Sequence, residues 1–75
     1  MELEVLKEAI TKVLSVYIKE IDEESTFEGD LGADSIDKCQ IFKCVEDSLD
    51  IKIPEVDLDE IVTVSDALLL IRNSK

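Results

Sequence analysis

A chain of 75 residues with a formal net charge of −11, no histidine and aromatics only at Tyr17, Phe27 and Phe42 excludes more functions than it admits. So short a chain forms one small domain, and a core drawn from Leu, Ile and Val cannot enclose a large preformed active site. Lack of histidine and of a Cys-x-x-Cys pair removes the usual zinc and thioredoxin-like ligand sets, and the acidic surface repels both nucleic-acid phosphate and anionic membrane.

Leu3, Leu6, Ile10, Val13, Leu14 and Tyr17 recur at helical spacing and predict an amphipathic helix over residues 2–19. Val5, Ala9 and Val16 widen its apolar face. The Met1-Glu2-Leu3-Glu4 start does not read as a signal peptide, and the apolar run at residues 68–71 is too short to span a membrane. Residues 20–33 break the helical period with acids, Ser25, Thr26, Gly29 and Gly32. Ile21, Phe27 and Leu31 are the apolar members able to pin this loop to a core. Its length, near the upper end of ordinary loops, points towards a functional role.

Asp34 suits a helix N-cap, with Asp37 in the capping-box position, so a second helix is predicted from Ser35 to about Leu49. At about 100° per residue, Ile41, Phe42, Val45 and Leu49 share its buried face, while Gln40, Lys43 and Asp47 fall on the outer face. Cys39 and Cys44 lie about 140° apart near opposite borders of the buried face, an arrangement that suits packing and not a mutual disulfide. Two cysteines without a disulfide framework fit a reducing compartment.

Asp50-Ile51-Lys52-Ile53-Pro54 reads as extended, because Pro54 keeps Ile53 out of the helical region. Residues 55–60 suit a short helical turn. Thr63 caps a last helix, with Asp66 at its third position and Val64, Ala67, Leu68 and Ile71 on its buried face; residues 73–75 should fray. The expected fold is all-α, a small four-helix bundle of three main helices and one short one, with residues 1–75 as a single domain.

Chemistry concentrates at Ser35. It would occupy the first helical position, where backbone N–H groups lack intrahelical partners and the positive end of the helix favours an attached phosphate. A serine there also simply helps to start a helix. Ile36 lies about 180° from Val45 and should be exposed beside it. Asp34 and Asp37 serve as cap residues only, or also as contacts for a basic enzyme or as a nearby ligand for a divalent ion that a modifying enzyme brings. Self-contained hydrolysis by Ser35 fails for want of a base with an orienting partner, since no histidine exists. Gly29 and Gly32 sit in no phosphate-loop context, and Asp57-Leu58-Asp59 lacks the loop glycine of a calcium hand. Between Glu20 and Glu60, 15 acids face three lysines, so basic patches on other proteins are the natural complement.

The octapeptide Asp30-Leu31-Gly32-Ala33-Asp34-Ser35-Ile36-Asp37, followed by Asp50-Ile51-Lys52-Ile53-Pro54 and Thr63-Val64-Ser65-Asp66-Ala67, resembles the acyl carrier protein family across the chain. The resemblance implies that Ser35 receives a covalent 4'-phosphopantetheine arm from coenzyme A through a separate phosphopantetheinyl transferase that uses magnesium. The arm's thiol would hold acyl groups as thioesters, and the chain itself would catalyse nothing. It would deliver cargo to the synthases, reductases, dehydratase and acyltransferases of fatty acid synthesis through their basic patches. Asp34, Ile36, Asp37, Gln40, Lys43 and Asp47 would meet those partners. A cytoplasmic monomer is expected, or a mature organellar form, with no stable membrane insertion and no nucleic-acid or resident metal ligand.

Growing chains in such carriers tuck between helices, and Ile41, Val45, Leu49, Ile61 and Leu68 would suit an expandable apolar interior. Where family members often carry a hydrophobic residue, an acid and a hydrophobic residue, this chain has Cys39, Gln40 and Lys43. Those departures weaken the negative, partly apolar stripe after Ser35. They fit a specialised carrier for a polyketide, peptide or lipid-modification pathway, coevolution with one set of fatty acid enzymes, or simple drift at solvated positions. The reading from a different class is an acidic helical adaptor that bears no arm.

Overall fold

The computed structural model describes residues 2–54 and 56–74; expectations resting on Met1, Glu55 and Lys75 lie outside the described residues. Helix α1 spans Glu2–Leu14, α2 Ser35–Leu49 and α3 Val64–Asn73, with 3-10 turns at Ile18–Glu20 and Leu58–Glu60. Among the described residues there is no strand, only one antiparallel bridge between Thr26 and Thr63. The fold is the expected small all-α bundle of three main helices, its fourth member shortened to a 3-10 turn.

Helix α1 buries Leu6, Ala9 and Ile10 and packs chiefly against α2. It ends at Leu14 and not at Lys19 as its apolar spacing predicts. Ser15 adopts a left-handed backbone (φ 58°) while its N–H donates to the Thr11 carbonyl at 2.8 Å, which closes the last turn. The β-branched Val16 and Ile18 that follow are poor material for extending a helix. Tyr17, expected on the buried face, is therefore 78% exposed.

The long loop is sewn to the start of α3 through its backbone. Phe27 N–H donates to the Val62 carbonyl (2.9 Å), Val64 N–H to that of Ser25 (3.0 Å) and Ser65 N–H to that of Glu23 (2.9 Å). These bonds hold Phe27 at the centre of the core with Leu6, Ile10, Ile41, Val45, Val64 and Ile71. Ile21 is buried as expected and Leu31 half-buried, while Ser25 and Ala33 are buried as well.

Helix α3 begins on the Thr63–Asp66 capping box: Thr63 Oγ1 accepts from Asp66 N–H at 3.2 Å, and the Asp66 carboxylate accepts from both Val62 and Thr63 N–H at 3.1 Å. Between α2 and α3, the Glu46 carboxylate accepts from Ile53 N–H at 2.7 Å and ties the extended segment back to α2. The short helix expected over residues 55–60 is the turn Leu58–Glu60, begun by the Asp57 carboxylate accepting from Asp59 N–H at 3.0 Å.

Candidate functional site at the start of α2

Asp34 has an extended backbone, and its Oδ1 accepts from Asp37 N–H at 3.0 Å. Asp37 answers by accepting from Asp34 N–H through Oδ2 at 3.4 Å, completing the capping box. Both carboxylates are thus engaged in starting the helix. Ser35 is its first residue and is exposed. Its hydroxyl points at Asp59 Oδ1 across 3.5 Å, the outer limit of a hydrogen bond. An exposed primary hydroxyl at a helix N-terminus has room for a covalent substituent and needs no enclosing pocket to hold one. The position, exposed and at the positive end of α2, therefore suits a phosphodiester linkage.

Ile36 is 68% exposed beside Ser35. Gln40, Lys43 and Asp47 continue along the outer face of α2, all exposed. They do not form one uniform stripe. Lys43 turns to the side of the extended segment, whereas Asp47 borders the surface shared with Val5, Glu8 and Lys12 of α1. Asp34 is exposed and Asp37 half-buried, so their side chains are open to a partner only as far as the cap allows.

A mainly apolar groove of about 440 Å³ lies between α2 and the segment leading to the second 3-10 turn, lined by Cys39, Phe42, Ile53, Pro54, Val56 and Leu58, with Lys43 and Glu46. None of Ile41, Val45, Leu49, Ile61 and Leu68, the expected lining of an expandable interior, borders it. Ile41, Val45, Ile61 and Leu68 are packed into the core and Leu49 lies against it. Two of the three departures noted along α2, Cys39 and Lys43, sit together on this groove. Cys39 is exposed and Cys44 half-buried, and both are free thiols.

Sequence reasoning missed Lys38. Only 1% exposed, it donates from Nζ to the Leu58 carbonyl at 3.0 Å, lies 3.5 Å from the Glu28 carboxylate and stands 5.9 Å from the Phe27 ring centroid. Its spacing of three, four and seven residues before Ile41, Phe42 and Val45 already placed it on the buried face. A lysine at such a position is rarely buried unless its charge is paired, which residue type alone does not announce. Among the described residues, no cluster of His, Cys, Asp or Glu is arranged to hold a metal ion.

With that geometry in view, the chain's likeness to known proteins is informative. A family model described as a phosphopantetheine attachment site matches residues 4–71. The chain is 40% identical over 68 residues to an acyl carrier protein of Sulfurovum sp. (strain NBC37-1), an alignment covering 91% of each chain. It is 37% identical over 70 residues to an acyl carrier protein of Wolinella succinogenes, covering 93% of this chain and 92% of that relative.

Proposed function

The chain belongs to the acyl carrier protein family, and on that premise we propose that Ser35 is the residue bearing the covalent 4'-phosphopantetheine arm, with residues 1–75 working as one carrier domain. Members of the family carry acyl intermediates on phosphopantetheine and are not catalysts. When attached, the arm supplies a thiol that holds an acyl group as a thioester. The chain's own residues present and protect it. The reciprocal Asp34–Asp37 cap holds the start of α2 in one geometry, and the exposed Ser35 hydroxyl supports the assignment.

Family membership brings a phosphopantetheinyl transferase and acyl-processing enzymes as partners. The finer reading is that Ile36 supplies an apolar docking contact. Asp34, Asp37 and Asp47 supply the negative contacts for basic patches on fatty acid synthesis enzymes, with Gln40 and Lys43 the neutral and positive members of the partner surface. Charge attraction of this kind speeds encounter without prolonging it, which suits cargo handed between enzymes in turn. None of the described helices is long and apolar enough to cross a membrane. A cytoplasmic setting is a separate part of the proposal, resting on the family reading. A specialised pathway is the second reading, favoured by Cys39 and Lys43 meeting on one groove.

Intact mass of protein from its native host, with fragmentation around Ser35, tests the assignment. An addition of roughly 340 Da on Ser35 is expected, and any further mass on the arm separates ordinary fatty acyl cargo from specialised cargo. Failure of purified transferase and coenzyme A to modify Ser35 would refute it.

A further inference from the structure

We infer that Lys38 is a latch over the way from Ser35 into the apolar interior, and that it sets the shortest acyl chain this protein shelters. The inference rests on Ser35 bearing the arm. Cargo tethered there meets, within one turn of α2, a cleft of about 300 Å³ lined by Thr26, Glu28, Gly29, Lys38, Asp59 and Val62. Asp59 joins this cleft to the Ser35 hydroxyl. Lys38 is the buried member of that lining, only 1% exposed. Its ammonium stands by the fully buried Phe27 ring while bonded to the Leu58 carbonyl, so it spans the seam between α2 and the 3-10 turn Leu58–Glu60.

An apolar chain passing from Ser35 through this cleft towards the core around Phe27 must part that seam and displace the ammonium. A methionine there would fill similar space without a bond to break. Burying an ammonium where an apolar side chain fits is costly unless the charge is well partnered. The Leu58 carbonyl and Glu28 supply the partners. Glu28 itself is 68% exposed on its side chain, so its pairing is screened and the carbonyl bond is the firmer hold.

The threshold follows from two magnitudes. A hydrogen bond from a charged group is equivalent to about a 10- to 150-fold change in an equilibrium constant. Each methylene taken out of water contributes about fourfold in favour of the sheltered state. Opening the latch therefore absorbs the gain from roughly two to four methylenes. Below that threshold the cargo stays outside, in solvent or in the groove on the Cys39 side.

The test loads Ser35 from a series of saturated acyl-coenzyme A molecules of increasing length, using purified transferase, and verifies each product by mass. The readout is the rise in thermal midpoint over the form bearing the bare arm. In the unaltered protein, the rise should begin at a definite chain length. In Lys38→Met it should begin roughly two to four carbons earlier. Lys38→Arg, which keeps donors for the same carbonyl, should stay close to the unaltered threshold. Identical thresholds in Lys38→Met and the unaltered protein would overturn the latch. Loading that fails throughout would instead refute Ser35 as the anchor and take the latch with it.

If Lys38→Met does not fold, isotope-edited NMR on the unaltered protein decides. The Lys38 Nζ and Leu58 carbonyl signals should shift together at the chain length where stabilisation begins. Stabilisation with those signals unmoved would overturn the proposal.

Discussion

Replacing Asp34 separates the two effects that a carboxylate has at the head of α2. One is repulsive: the chain carries a net charge of −11, and removing any acid relieves some of it. The other is attractive: Asp34 Oδ1 accepts the Asp37 N–H at 3.0 Å and satisfies a donor that no helical carbonyl reaches. Asp34→Asn and Asp34→Ala both delete the charge, so repulsion and the interaction with the helix dipole cancel between them. Asparagine caps about as well as aspartate and alanine does not, which leaves a difference of about 1 kcal/mol, within a range of roughly 0.5–2. In a domain of this size 1 kcal/mol moves the thermal midpoint by about 4–8 °C. Melts of the unloaded protein followed by far-ultraviolet circular dichroism, at one salt concentration, should therefore place Asp34→Ala below Asp34→Asn by about that interval. Coincident melts would refute the assignment of the cap bond and leave Asp34 with charge alone.

Other perturbations test other parts of the argument. Phe27→Ala should cost about 3–5 kcal/mol, a large share of the stability of a small domain, and urea titration should show a much lower midpoint. Gly32 has φ +70° with nothing within 4 Å of an added Cβ, so Gly32→Ala should lose about 1–2 kcal/mol through backbone strain alone, with Gly32→Asn losing less. With 15 acids against three lysines between Glu20 and Glu60, the thermal midpoint should rise with sodium chloride from low ionic strength. A melt indifferent to salt would show that this repulsion does not limit stability.

What could be read from the sequence was what short-range geometry decides. The Asp34–Asp37 and Thr63–Asp66 boxes close within three residues, so residue type and spacing were sufficient to locate both helix starts. The buried faces of α2 and α3 followed from the helical period for the same reason. The end of α1 did not, because the apolar spacing runs on through Tyr17 while the left-handed backbone of Ser15 ends the helix first. Burial of Ser25 accompanies backbone pairing with residues far along the chain, which no local pattern announces. The groove likewise joins Cys39 and Lys43 to Ile53–Leu58 across a chain reversal. Lys38 was legible in position but not in role: its spacing gave the face, and only the neighbouring Leu58 carbonyl explains why a cation stays there.

The seam between the loop and α3 has a mechanical consequence. Val62 is bonded to Phe27, and Phe27 accepts through its carbonyl from Ala33 N–H at 2.6 Å, immediately before Asp34. Tension applied at the start of α3 is thus relayed along a short, nearly continuous line of backbone to the residue that starts α2. Helix α3 and Ser35, almost thirty positions apart in sequence, are thus joined by a short run of backbone hydrogen bonds. Fraying of α3 at its beginning would be felt as slackness around Ser35.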